Sequence, residues 1–559
     1  MRQHILPKNY PGRCLTVLFL TLAMSSAGPD RCGAAAELQP PALRLQSPAV
    51  SGPTSEEIRL PIDPEEPSAR SVGQTAGQAV DTGRLTLPDV IRQAILNNKD
   101  IRIYSYDPAK ALQDLVAAKS VYDPSVFQTG NLTRTDRPIQ SLLDNGDTDR
   151  DELLEHRWDL QAGVKQPLPT GGMLSVFMEA NHLNSSSDLV IPNPQNTARL
   201  TAQVRQSLLK EIGDRSNQAK IKIASLYINK SAEEFRQRLT EVLENVTKTY
   251  WQLYYDRAAL EIRQASLAKA EELQTREAGR LEQGIGSPLD LDRVRAKVET
   301  RRIDLLNAVN QVDATARQLS LLIGLPPATD SHKSPELVPV DQLKSTAVTI
   351  DRSTAIEKAL LHRPELQAAS DELRATEIKE RLAQHRLLPR LDAKFSYTLN
   401  SLDEDLNRTV SDTFTSNTNS WVASVEFEYP FGNNQAEAEH RKSIYENRQA
   451  KTTLDKTREA VAMEVTLALS DLERFTKEIE ITRRMETTMK QVVDRAETRF
   501  ELAQINSDEL LQFHDLLASA KSEKLRAQVN YNLKLLALNK AQGILPDELG
   551  IILEKSPAN

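Results

Sequence analysis

The chain has 559 residues, a net charge of −8, 39% hydrophobic residues and 5% aromatics. With 26% charged residues and a mean hydropathy of −0.46, a polytopic helical membrane protein is excluded. The mild acidity argues against a nucleic-acid binder, whose surface would be basic. Two Cys and eight scattered His exclude a disulfide scaffold, a cysteine zinc site and a His cluster.

Arg2, Lys8 and Arg13 flank the 11-residue apolar run Cys14 to Met24. That run is too short to span a bilayer and right for the core of an export signal. Small residues allow cleavage after Ala27 or after Ala36, so residues 1–36 are expected to be a signal peptide. Asp30-Arg31 before Cys32 argues against a lipid anchor there. Residues 37–84 hold seven Pro and four Gly and read as a flexible linker.

The remainder is duplicated. Val90 to Ile101 matches Ala355 to Leu366 at an offset of 265 residues, and Pro124 matches Pro389 at the same offset. Further on, Gln218-Ala219 matches Gln435-Ala436, Arg280-Leu281-Glu282 matches Arg499-Phe500-Glu501, and Gly324 matches Gly543. Each half runs short helix, strands, long helix, break, long helix. A period this long is a tandem duplication and not a solenoid.

Leu239, Val246, Leu253, Leu260 and Leu267 repeat by seven, as do Leu291, Val298, Leu305, Val312 and Leu319. Leu454, Val461, Ala468 and Phe475 do the same in the second half, joined by Val465, Leu472 and Ile479. Such heptads predict coiled-coil seams. Residues 217–283 as one helix would be about 100 Å long. A soluble coiled-coil scaffold would show the same seams.

The strand patterns argue further. Leu391, Ala393, Phe395, Tyr397 and Leu399 alternate with polar residues, and Trp421, Ala423, Val425, Phe427 and Tyr429 do likewise. In the first half Trp158, Leu160, Ala162 and Val164 alternate, then Leu200, Ala202 and Val204. One apolar and one polar face over about ten residues is the pattern of a membrane-spanning strand. Trp158, Trp421 and Tyr429 fall at strand ends, where an aromatic girdle would place them. Strands in lipid must close into a barrel, and one chain has too few for a roomy channel, so several copies must share it. Thr135 to Arg157 and Ser401 to Ser420 are expected to be flexible outer loops.

At this point the chain resembles the TolC-type outer membrane efflux protein family, over roughly residues 85–547. The resemblance rests on Leu85 to Ile101 and its copy Ile350 to Leu366, and on the strand exits Gln166-Pro167-Leu168 and Tyr429-Pro430-Phe431-Gly432. It rests also on the hairpin tips Arg280 to Leu291 and Arg499 to Leu510. It implies long antiparallel coiled-coil helices forming an α-barrel, with strands contributed to a shared trimeric β-barrel in outer-membrane lipid. The implied units are a first repeat over 85–330 (strands about 125–208, helical hairpin about 217–324), a linker over 331–348, a second repeat over 349–547 (strands about 390–430, helical hairpin about 435–543) and a tail over 548–559. The implied function is a passive exit duct for an efflux pump or type I secretion system. Its implied partners are a periplasmic adaptor (membrane fusion) protein and an inner-membrane transporter, with no cofactor, metal or catalytic residue. The alternative is an exported periplasmic coiled-coil scaffold without channel activity.

The resemblance also carries site residues. Glu509 matches an acidic constriction residue and Asp290 occupies the same place in the first tip, with Asp508 and Asp515 as secondary gate candidates. Gly284, Gly286, Ser287, Ala503, Asn506 and Ser507 match the tips where the adaptor docks. Lys165, Arg205, Asp392, Lys394, Glu426 and Glu428 should line the pore, and their mixed signs give no strong ion preference. Two departures stand out. Gln166 to Gly172 reads as a turn leading to a further strand, Met173 to Asn181, which widens the expected barrel. The second tip has Ala503 where Gly is usual and Gln512 where an acid is common, so its gate should be less acidic or differently closed.

Overall fold

The computed structural model describes residues 43–45, 56–58, 84–139, 141, 152–210, 212–325, 337–343, 350–502 and 504–553. The expected export signal and Ala503 lie outside the described residues. Within the stretch expected to be a plain linker, two short strands form. Strand β1 (Leu43–Leu45) pairs with β2 (Glu56–Ile58) and with the last strand of the chain. Strand β3 (Arg84–Leu85) then leads into the first repeat.

Each repeat opens with two helices in tandem. Helix α1 (Leu87–Asn97) starts in a capping box between Thr86 and Asp89, with Pro88 in its first turn. Asn98 breaks the helix and caps α2 (Lys99–Lys119), accepting from Asp100 and Ile101 backbone N–H groups.

The chain then crosses a sheet four times, through β4 (Ser125–Pro138), β5 (Glu152–Pro167), β6 (Gly172–Ser185) and β7 (Gln195–Ser207). Helix α3 (Ala219–Glu282) is 64 residues long, about 96 Å at about 1.5 Å per residue. Helix α4 (Pro288–Leu322) returns along it. Strand β8 (Val338–Pro339) pairs in parallel with β3.

The second repeat follows the same plan. Asp351 caps α5 (Arg352–His362), and Pro364 opens α6 (Pro364–His385). Strand β9 (Arg390–Asp403), the short helix α7 (Leu406–Thr413) and β10 (Asn419–Glu428) complete the sheet. Helix α8 (Asn434–Glu501, 68 residues) and helix α9 (Ser507–Ala541) form the second hairpin, and β11 (Ile551–Leu553) pairs with β1.

The duplication is visible in how the breaks pack. The Asn98 side chain donates to the Leu322 carbonyl at 2.7 Å. In the second half the Arg363 guanidinium donates to the Lys540 carbonyl at 3.3 Å. Gly324 (φ 70°) and Gly543 (φ 74°) end the returning helices there, and a Cβ would meet Asn97 O at 2.5 Å or His362 C at 2.8 Å. Only glycine fits such an approach at positive φ.

The sheet has six strands in the order β10-β9-β7-β6-β5-β4, all antiparallel. The extra hairpin of the first half is therefore part of the wall. Directly opposed residues share a face. One row across the six strands is Val126, Val164, Val176, Ala202, Tyr397 and Trp421 on successive partners, all apolar or aromatic. The neighbouring row on the other face is Ser125, Lys165, Ser175, Gln203, Ser396 and Val422. Among the described residues, the edge strands β4 and β10 have one neighbour each.

The helices form a layer four abreast. Near the sheet the order is α2-α3-α6-α8, and toward the hairpin tips it is α4-α3-α9-α8. The heptad residues supply its cores: Val246, Leu253, Val312 and Leu319 pack in one cluster, Val298 in a second at the tips. Leu454, Val461 and Val465 form a third, and Leu472, Phe475 and Ile479 a fourth. Two expectations need correction. The loop placed at Thr135 to Arg157 is shorter, because β4 continues to Pro138 and β5 begins at Glu152. Ser401 to Ser420 is not a plain loop. Asp405 caps α7 by accepting from Asn407 and Arg408, and Thr409 and Thr413 are buried under it.

Candidate functional site: the charged sheet face and the hairpin tips

The sheet register puts Lys165, Arg205, Asp392, Lys394, Glu426 and Glu428 on one face. Arg205 Nε lies 3.1 Å from the Asp392 carboxylate, and Arg390 bridges Asp392 (2.9 Å) and Glu428 (3.1 Å). The Lys165 ammonium sits 4.2 Å from the Phe127 ring centroid. Phe127 and Phe177 approach across Gly163, where a Cβ would fall 2.4 Å from Phe177 Cβ. On the opposite face, Trp421, Val425 and Phe427 of β10 and Phe395 of β9 are exposed. A sheet charged on one side and bare hydrocarbon on the other is built to stand between water and lipid.

At the far end the two hairpins meet. The first tip turns through Gly284 (φ 74°) and Gly286, where a Cβ would lie 2.7 Å from the Leu281 nitrogen. Ser287 and Pro288 start the return helix, and Asp290 in its first turn lies 3.8 Å from Arg293. In the second tip Asn506 caps α9 by accepting from the Glu509 N–H at 2.8 Å. Ser507, expected at the docking surface, is instead buried and donates to the buried Glu277 carboxylate of the first hairpin. The tips also differ in apolar exposure. Ile285 of the first tip is 66% exposed but Ile505 of the second only 8%, while Leu289 and Leu502 are exposed.

The gate candidates divide into two kinds. Glu509 is exposed, and among the described residues no cation of the same protomer pairs with it. Asp508 accepts from Gln512 at 3.0 Å. Asp515 is bound at 2.6 Å by Arg301, whose side chain is only 7% exposed, so this pair ties α4 to α9. His514 lies beside it, 3.4 Å from Glu497, and its pKa is lowered by burial and by the Lys269 and Arg301 cations. It borders a cleft of about 130 Å³ lined also by Lys269, Arg276, Phe500 and Leu511.

Arg301, Glu277 and His514 were not among the sequence candidates. The heptads held a signal for two of them. Arg301 stands three residues after Val298, and Glu277 seven after the buried Ala270, in the second core position of their seams. Asp256 and Thr315 occupy the same position higher up and bond at 2.7 Å. Polar residues at core positions of a heptad mark specific cross-helix pairing. Among the described residues, no group of three or more His, Cys, Asp or Glu is placed to hold a metal ion, and no helix is long and apolar enough to cross a membrane.

A two-faced antiparallel sheet continued by two long helical hairpins defines an outer-membrane channel protein. The chain belongs to the outer membrane efflux protein family, which matches residues 90–325 and 355–543. It is an outer-membrane exit duct for efflux, with its helical part in the periplasm. Its fold is similar to that of the CmeC outer membrane channel of Campylobacter jejuni. That likeness has 15% identity, covers 82% of this chain and 86% of that one, and has a TM-score of 0.60. It is similar also to the outer membrane protein VceC of Vibrio cholerae (14% identity, 82% of this chain and 96% of that one, TM-score 0.58). A third likeness is the open state of the MtrE outer membrane channel of Neisseria gonorrhoeae (16%, 82% and 89%, TM-score 0.55). No curated protein matches the chain.

Proposed function

We propose that three copies close into one continuous tube that conducts passively, without a catalytic step, after removal of an export signal within residues 1–36. The observation that carries this is the coincidence of free edges. The sheet ends in unpaired β4 on one side and β10 on the other, and the helical layer ends on the same sides in α2 and α4 or in α8. Unpaired strand edges are untenable in hydrocarbon, so β10 of one copy must pair with β4 of the next. The free helix faces carry exposed Ile103, Ile303 and Leu306 on one side and Tyr445, Met463 and Ile481 on the other. Apolar patches on both edges fit burial between copies.

In this tube Lys165, Arg205, Asp392, Lys394, Glu426 and Glu428 line the water-filled face. Glu509, three times around the axis, forms an acidic ring that binds cations at the periplasmic end, with Asp290 as its first-repeat counterpart. Asp508 is held by Gln512 one turn on, and Asp515 holds the two hairpins closed through Arg301. The exposed Gly284, Ser287 and Asn506, with the half-buried Gly286, contribute to a surface for a periplasmic adaptor, which joins the duct to an inner-membrane transporter. Planar-bilayer recording of the detergent-extracted particle tests this. Ion current blocked by divalent cations, with the block relieved in Glu509→Gln, is expected. Current whose block is unchanged in Glu509→Gln would remove Glu509 from the gate, and no current from any variant would remove the duct.

A further inference from the structure

The extra hairpin changes the bore of the exit. β5 pairs with β4 without interruption from Ser125 opposite Lys165 to Pro138 opposite Glu152, and β6 pairs with β7 from Gly172 opposite Gln206 to Leu183 opposite Gln195. Its faces alternate in step with the rest of the sheet: Leu160, Ala162 and Val164 lie opposite Ala180, Met178 and Val176. A plug folded into a channel would be polar on both faces. This hairpin has the apolar face of a wall.

Three copies of a six-stranded sheet make 18 strands. Strands about 4.8 Å apart and tilted by about 40° then form a ring about 36 Å across at the backbone, against about 24 Å for twelve strands. The helical layer, four abreast, gives twelve helices in a trimer. At about 9 Å between axes they form a ring about 35 Å across. Allowing about 5 Å of side chain per wall, both sections leave a lumen of about 25 Å, whereas a twelve-strand barrel would leave about 14 Å. At this tilt, the extra hairpin brings the two parts of the tube to the same bore.

We propose that the outer-membrane section is an 18-stranded barrel matched in bore to the helical tube, and that it passes bulky hydrophilic cargo, up to the girth of a polypeptide helical hairpin. Two helices side by side measure about 20 Å across and fit this lumen, but not one of about 14 Å. The charged face suits such cargo, because bases (Arg205 opposite Lys394) and acids (Asp392 opposite Glu426) are mixed on it, and its Phe127–Phe177 pair stands beside Lys165. Met173 is opposed there by Arg205, and Thr201 by Thr398 through a 3.0 Å hydroxyl contact. The inference rests on the shared-trimer reading and adds the size class of the cargo.

The test uses the full chain with Ser396→Cys, a residue on the charged face between Gln203 and Val422. Intact cells are exposed to maleimides carried on neutral polymers of graded diameter, with the parent chain as background. Labelling is expected up to probes about 20 Å wide. Removal of residues 152–185 deletes β5 and β6 and leaves β4 and β7 antiparallel, and labelling by the widest probes should then fall about tenfold. Electron cryomicroscopy of the extracted trimer should show 18 strands in one ring, which decides the matter if the deletion variant fails to fold. A trimer with twelve strands, or with a cut-off near 14 Å, would overturn the inference alone. A particle that is not trimeric, or a Ser396→Cys chain closed to the smallest maleimide, would overturn the shared-trimer reading.

Discussion

Removing the Asp515 carboxylate tests how the periplasmic end is held. Arg301 is 7% exposed and gives its 2.6 Å bond to Asp515 alone across the hairpins, while Asp515 is 47% exposed. Stripping the partner from a buried charge costs about 3–5 kcal/mol. The water already reaching Asp515 reduces this, and about 2 kcal/mol is a fair expectation. If the pair exists only when the tips are closed, about 2 kcal/mol moves the closed-to-open ratio about thirtyfold. Single-channel recording of Asp515→Ala should therefore show a roughly thirtyfold rise in that ratio toward the open form, with a lower Tm. The double variant Arg301→Met, Asp515→Asn removes the stranded charge. Its Tm should recover while its open probability stays high. An Asp515→Ala channel with unchanged open probability would refute the latch, and recovery of both properties in the double variant would reduce the pair to a fold contact.

The sheet faces predict an asymmetric response to charge. Val425→Arg on the apolar face should cost about 2–4 kcal/mol in the membrane and lower the yield of inserted trimer, whereas Ser424→Arg on the other face should be tolerated. Equal yields would reverse or abolish the facing. His514 titrates below the ordinary imidazole value, held there by burial first and then by Lys269 and Arg301, with Glu497 and Asp515 opposing. A lowered pKa makes protonation costlier in the folded tip, so its stability is complete above about pH 6.5 and declines below it. Hydrogen exchange of the α4 and α9 amides should speed up on acidification, and His514→Asn should flatten that dependence. Gly324→Ala and Gly543→Ala should each cost about 1–3 kcal/mol, since both force a Cβ against backbone at positive φ. Thermal denaturation of the two variants should give similar losses if the repeats are packed alike.

Much of the fold was legible because heptads and period-two alternation are strong signals. Leu239 to Leu267 lie on one buried or half-buried stripe of α3, and Leu391 to Leu399 on one face of β9. The doubled opening was legible because Val90 to Ile101 matches Ala355 to Leu366, whereas the breaks at Asn98 and Arg363, which split each opening into two helices, were not. Other features depend on contacts between distant segments. Helix α7 was hidden in a run of polar residues whose helix depends on the Asp405 cap and on burial of Thr409 and Thr413 against β7 and β9. The tips were legible as turns but not in their asymmetry. Ser507 looked like turn chemistry, and only the fold brings Glu277 to it. The candidate gate was legible through its acids, while the cation that binds Asp515 lies 214 residues away on another helix.

A trimer that shares one barrel carries three mature chains in each membrane particle. Light scattering of the detergent-extracted particle, with the detergent mass subtracted, measures that directly. Three mature chains per particle is the expected result. A monomer, or protein recovered fully soluble without detergent, would contradict the account and point to a periplasmic coiled-coil scaffold.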